Sequence, residues 1–387
     1  MTTLGQSLSL VTLNGRARLV FTGLLIAAAA AATFGLLDVF LLVITGQHEV
    51  VDFRPYYTAA EAVLRGEDLY PAVDDATLGS ARVYVYPPLT AIVVVPLSLL
   101  PLSVAEGVVV VGGALAVVAT LLAVGVRDWR CYVVAFCWAP VLSAVQLGNV
   151  TVFLGLAAAL AWRFRDRDLP ASISIGVALA AKFLLWPLVV WLVATRRIRA
   201  ALLACAIGAV LFAGSWAIVG FEGIAEYPDI LRRLQGEVEI GSYTAYVVAL
   251  DAGAASWVAR ALWLALGLAL LGSVLIVGRR GGNRTAFILA IAAALALTPI
   301  VWLHYFELLL VAVAVARPRL GFVWFVPLAM WFVSTTEDGN GTLFETSATL
   351  AVAALTIGLA LRPLVEGVRP VGSDPELVST RAPVQAT

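Results

Sequence analysis

Long hydrophobic runs recur along almost the whole chain, and they leave it very few ways to fold. A bilayer core takes about 20 apolar residues as helix. Runs that reach or approach this length are 19–44, 104–126, 131–146, 149–164, 171–181, 184–195, 197–219, 257–278, 285–299, 302–316, 320–334 and 345–362. Several are short. They come in pairs around a polar or Pro-containing tip, the pattern of helical hairpins that do not all cross fully. Of the 387 residues, 61% are hydrophobic and 13% charged, against about 45–50% and about 25% in soluble domains. The mean hydropathy is +0.97. The chain is therefore expected to be an all-α polytopic membrane protein with about 12 transmembrane helices, in a range of about 10–13.

Arginines orient the runs. They cluster at Arg127/Arg130, Arg163/Arg165/Arg167, Arg196/Arg197/Arg199, Arg279/Arg280/Arg284, Arg317/Arg319 and Arg362, and the excess of basic residues in cytoplasmic loops places all of these inside. Arg16 and Arg18 put the N-terminus there too. The first run is too long for the apolar region of a cleaved signal peptide, which is about 7–15 residues. The expected organisation is a cytoplasmic segment 1–18, one transmembrane domain 19–362 with a first external loop 45–86, and a cytoplasmic tail 363–387. The tail is Pro/Ser/Thr-rich and expected to be disordered. Pro87 to Pro101 is apolar but would add a crossing. It reads as a re-entrant or interfacial helix, which must pack against protein because lipid cannot satisfy its backbone.

With this orientation, the carboxylates, most tyrosines and the other polar residues within or between runs gather on the external face, as if around an outward-facing polar cavity. The formal net charge is +0, which offers nothing to nucleic acid or to an anionic membrane surface. The three cysteines, Cys131, Cys137 and Cys205, fit no metal spacing and read as small apolar residues. No nucleotide-binding loop, metalloprotease helix or nucleophile elbow is present. Glu67-Asp68 and Asp74-Asp75 read as solvated loop charge.

Among the external residues, Asp52 opens Val50-Val51-Asp52-Phe53-Arg54-Pro55-Tyr56-Tyr57 just after the first run. It suits an N-cap for a helix through Leu64, or a general base held ionised by Arg54 or Lys182. Lys182 interrupts an apolar run. Such residues are either functional or snorkel to an interface, and a compact ammonium suits an anionic headgroup. His304 and Glu307 are three apart and could pair on one helix face; alternatively His304 contacts a phosphate or sugar. Gln146, Gly148 and Asn149 make a polar turn between two runs. Tyr84 and Tyr86 precede Pro87-Pro88, a helix start.

In this order, the segments resemble the polyprenol-phosphate-mannose-dependent α-1,2-mannosyltransferases of actinobacteria, the PimE-like members of glycosyltransferase family 87 in the GT-C superfamily. The matching pieces are Asp52, Tyr56, Ala59 and Ala60; Gly66-Glu67-Asp68-Leu69-Tyr70; Tyr86-Pro87-Pro88; Gln146-Leu147-Gly148-Asn149; Gly176 through Lys182; and Thr298 to His304. The resemblance covers about residues 45–310. Pro55, Tyr305 and Glu307 depart from the family pattern, and Ser242-Tyr243-Thr244-Ala245-Tyr246 follows it only loosely.

The resemblance implies a GT-C-type bundle in the plasma membrane, with both termini cytoplasmic and the active site outside. It implies an inverting single displacement that moves mannose from polyprenyl-phosphate-mannose to a mannose-containing glycolipid or lipoglycan. Asp52 would be the general base. Arg54, Tyr56, Tyr86, Gln146, Asn149, Lys182 and His304 would bind substrate. No cofactor is implied, and the reading requires no metal. The rival reading is a secondary transporter or flippase for a polar or lipid-linked solute, since these also break helices around polar sites.

Overall fold

The protein is described by a computed structural model covering residues 15–362 apart from 71–73, 75–76, 79–82, 222, 240 and 334–341. The expected disordered tail 363–387, most of the cytoplasmic segment 1–18, and Asp75 lie outside the described residues. In chain order the helices are α1 (Gly15–Ile44), α2 (Phe53–Arg65), α3 (Pro88–Ser98), α4 (Leu102–Ala123), α5 (Trp129–Phe136), α6 (Ala139–Gln146), α7 (Thr151–Arg163), α8 (Asp168–Ala181) and α9 (Pro187–Ala194). They continue as α10 (Ile198–Ile218), α11 (Tyr227–Val238), α12 (Ala245–Asp251), α13 (Ser256–Arg279), α14 (Asn283–Leu297), α15 (Leu308–Ala316), α16 (Met330–Val333) and α17 (Leu343–Leu361). Short 3-10 turns lie at Phe183–Leu185, Leu303–Glu307 and Phe322–Ala329.

All twelve hydrophobic runs are helical, but they are not twelve full-length spans. Among the described residues, Thr22–Ile44 in α1, together with α4, α10, α13 and α17, are the five helices long and apolar enough to cross a membrane. A sixth arises if α6 and α7, bent by 118° at their junction, count as one broken span. By length, then, the expectation of twelve crossings becomes five or six, with the remaining apolar helices shorter. Prolines explain part of the difference: Pro140 and Pro187 each sit in the first turn of a new helix, and Pro299 follows the end of α14. Proline cannot donate a backbone hydrogen bond, so it restarts helices more readily than it continues them. α3, which coincides with the expected re-entrant segment, has 11 residues and so measures only about 16 Å at 1.5 Å per residue, well short of a bilayer core.

Burial sorts the helices. Every residue of α15 is buried, as expected for a helix that is apolar all round and sits at the centre of a bundle. The spans in α1 and α13 have only 6% and 17% of their apolar windows covered by protein, leaving their hydrophobic surface for lipid. Gly176 on α8 lies so near α10 that a Cβ there would be 2.9 Å from the Ala204 carbonyl oxygen. This close crossing seats the helix that ends at Lys182.

The connections segregate into two groups. Arginine-bearing connections touch each other: Arg163 donates to the Ala123 carbonyl, Arg197 to Asp166 and Asn283, and Arg317 to the Arg362 carbonyl, while the Leu320 N–H donates to Asp128. The other ends of the same helices carry Glu106, Thr151, Lys182, Thr298 and Glu307. There too the connections meet, with the Tyr243 N–H bonded to the Val301 carbonyl at 2.8 Å.

Candidate active site

Asp52 immediately precedes α2, but its carboxylate does not cap the helix. Instead Asp52 Oδ2 accepts from Asn149 Nδ2 at 2.7 Å. The amide's orientation is fixed from behind, because Asn149 Oδ1 accepts from the Thr151 N–H at 2.9 Å and the Thr151 hydroxyl at 2.5 Å. A backbone bond from Asp52 N–H to the Leu147 carbonyl, 3.1 Å, ties the two segments a second time.

Gly148 makes this approach possible. Its φ is +65°, and a Cβ there would stand 2.6 Å from Val50 Cγ1 and 3.0 Å from Phe53 Cβ. Only glycine combines a left-handed conformation with that clearance. The turn expected at Gln146–Asn149 is therefore a real feature, and its purpose in the fold is to press Asn149 onto Asp52. Gln146 ends α6 half-buried.

His304 reaches the same carboxylate from the 3-10 turn Leu303–Glu307. Its Nε2 lies 3.9 Å from Asp52 Oδ2, with side-chain exposures of 6% and 19%. At that distance the two atoms are not hydrogen-bonded to each other, and Nε2 has no other partner. Nε2 is therefore a buried polar atom that the protein leaves unsatisfied beside the Asp52 carboxylate. The His304–Glu307 pair allowed by the sequence spacing is not made. The Glu307 carboxylate is fully buried without a hydrogen-bond partner and packs against Gly155. Contact with distant segments has overridden the local i, i+3 neighbour.

Lys182 terminates α8 in an extended conformation. Its ammonium donates to the Tyr86 hydroxyl at 3.4 Å and to the Tyr305 hydroxyl, and lies 5.0 Å and 3.9 Å from the centres of those rings. Ring faces and hydroxyls hold a cation without neutralising it. The ammonium also interacts electrostatically with Asp52. Tyr86 is supported in turn: Tyr56 packs edge-on against it at 4.9 Å, and its carbonyl accepts from the Tyr70 hydroxyl at 2.7 Å. Tyr56 is thus a buried wall of the site, 3% exposed.

Arg54 takes a different part from the one the sequence offered. Its Nε donates to Glu106 Oε1 at 2.8 Å, and its Nη1 lies 2.7 Å from Glu49 Oε1. Glu106 Oε1 also accepts from the Val50 N–H at 3.3 Å. One buried carboxylate on α4 therefore staples both flanks of Asp52. Sequence reasoning passed over Glu106, although a single acidic residue within a 22-residue apolar helix is the kind of intramembrane charge that marks a site. Tyr305 was likewise noted only as a departure from a pattern. Among the described residues, no group of three His, Cys, Asp or Glu side chains converges as for a metal ion.

These features define a multi-pass helical membrane protein whose loops converge on a carboxylate, an amide, an imidazole and an ammonium. The family model for glycosyltransferase family 87 matches residues 84–303, more than half of the 387-residue chain. The chain belongs to that family and is a membrane glycosyltransferase. The match contains Tyr86, Gln146, Asn149 and Lys182; it ends one residue before His304, and Asp52 precedes it. The family assignment answers the transporter alternative. No curated protein and no solved structure matches the chain.

Proposed function

We propose that the protein transfers a mannosyl residue from polyprenyl-phosphate-mannose to a mannose-containing glycolipid or lipoglycan at the external face of the plasma membrane, by inverting single displacement. The observation that carries this reading is the convergence of three groups: the Asp52 carboxylate, the unsatisfied His304 Nε2 3.9 Å from it, and the Lys182 ammonium, which interacts with the same carboxylate. An acceptor hydroxyl brought to that carboxylate donates its proton to Asp52 as its oxygen attacks the anomeric carbon. The bond from that carbon to the donor phosphate breaks, and the phosphate leaves with the electron pair. A base works at hydrogen-bond distance, about 2.6–3.2 Å.

Lys182 would meet the charge that grows on the leaving phosphate in a partly dry setting. Asn149 would hold the base in place through its 2.7 Å hydrogen bond to Oδ2. Arg54 acts through Glu106 and Glu49 by fixing the segment around Asp52. The arginine-bearing connections would face the cytoplasm, which puts the site outside. The donor sugar rests on the sequence resemblance.

The test is a transfer assay on membranes containing the wild type or Asp52→Asn, supplied with radiolabelled polyprenyl-phosphate mannose and envelope glycolipids. Label should enter glycolipid only with the wild type, while both proteins express equally. Equal transfer by both would remove Asp52 from the role of base. No transfer by either would refute this donor and acceptor pairing.

A further inference from the structure

The Gly66–Tyr70 segment contributes no atom to the reaction described above, yet it is tightly built. Gly66 ends α2 in the left-handed conformation, φ +65°. Asp68 Oδ1 accepts from the Tyr70 N–H at 2.8 Å, and the Tyr70 hydroxyl anchors on the Tyr86 carbonyl. The segment borders a half-open cavity of about 320 Å³, whose lining includes Pro55, Thr58, Ala62, Glu67, Asp68 and Tyr84. Small ligand sites begin near this size, at about 300 Å³.

The α2 residues that line the cavity, Pro55, Thr58, Ala59, Ala62 and Arg65, recur at spacings of three and four, so they share one face of the helix. Asp52, three residues before Pro55, heads the same stripe. With a rise of 1.5 Å per residue, Ala59 lies about 10 Å beyond the base. Small side chains along the stripe leave the space open.

Charge decides what fits there. Among the described lining residues the one cation, Arg65, is already paired with Glu67 at 2.8 Å and Glu61 at 3.7 Å, and Asp68 adds another carboxylate. A phosphate would meet uncompensated negative charge, whereas sugar hydroxyls can donate to these carboxylates. The two substrates therefore have opposite electrostatic preferences: Lys182 suits the anionic donor and this cavity a neutral polyol.

We propose that the cavity is an acceptor subsite that takes a neutral sugar of the acceptor glycan beyond the one whose hydroxyl reacts at Asp52. The proposal rests on the transferase reading above.

It is tested with octyl α-mannoside and octyl α-mannotrioside as acceptors for the wild type, Thr58→Leu, Ala62→Leu and Thr58→Ser. In parallel, saturation-transfer NMR follows methyl mannotrioside binding to each purified protein and to Asp52→Asn. The wild type should prefer the trioside by about tenfold in kcat/KM, the worth of one or two net hydrogen bonds. Both leucine variants should lose that preference and the NMR signal, while Thr58→Ser keeps both. Asp52→Asn should lose transfer but keep the signal. Leucine variants that unfold at the wild-type temperature and retain the preference and the signal would overturn the proposal, as would the absence of any trioside signal in the wild type. Transfer that fails everywhere while the signal disappears only in the leucine variants would refute the transferase reading and leave the cavity as a neutral-glycan site.

Discussion

Gly148→Ala is the substitution that most directly probes how the base is positioned. The added Cβ would sit 2.6 Å from Val50 Cγ1, 3.0 Å from Phe53 Cβ and 3.1 Å from Val109 Cγ1. Carbon atoms rest at about 3.5–4.0 Å, so the segment that carries Asp52 must retreat by about 1 Å. Misplacement of that size costs on the order of 100-fold in rate when it separates reacting groups, and here it also strains the Asn149–Asp52 hydrogen bond. Stability should fall by about 1–2 kcal/mol for the left-handed backbone and about 1–3 kcal/mol for overpacking.

Gly125→Ala separates these contributions. Gly125 also has positive φ, +87°, but a Cβ there would meet nothing within 4 Å, so this variant carries the backbone cost alone. The assay is steady-state transfer by purified protein in detergent, with thermal unfolding in the same buffer. The expected result is a kcat loss confined to Gly148→Ala, partly restored by adding Val50→Ala, because contacting residues couple in a double-mutant cycle. Wild-type kcat in Gly148→Ala, or an equal loss in Gly125→Ala, would refute the argument that this contact positions the base.

Two other outcomes follow from the geometry. Lys182→Ala should raise the donor KM by about 10–100-fold, the loss of one charged contact, with a smaller effect on the acceptor; equal loss for both substrates would argue against a phosphate role. At the arginine-bearing end, the Arg130 guanidinium holds the Asp128 carboxyl below its ordinary value, assisted by the Leu320 N–H. A depressed carboxylate stabilises the fold above the unfolded value of about 3.9, and that contribution is lost as pH falls through the folded value. Asp128→Asn should therefore lower the unfolding temperature at neutral pH and converge with the wild type below about pH 4; a gap of constant size would contradict the ion-pair account.

Much of this molecule was legible in the chain itself. Hydrophobic runs without alternatives in lipid specify helices, and the arginine clusters mark the helix ends that contact each other through Arg163, Arg197 and Arg317. Isolated polar residues in apolar surroundings pointed to Lys182, His304 and the Gln146–Asn149 turn, because lipid tolerates such groups only where they are partnered or used. Which of them meet could not be read from spacing. Asn149 is 97 residues from Asp52, and Tyr305 is 123 from Lys182. The i, i+3 rule favoured His304 with Glu307, yet His304 turns to Asp52. The charge on Arg54 suggested a partner for Asp52, yet it lies against Glu106 and Glu49. Periodicity reports what one helix presents on each face. Partnership is decided by how helices cross and where a missing Cβ lets them approach, and here that rests on packing around Gly148 and Gly176, which only the tertiary structure supplies.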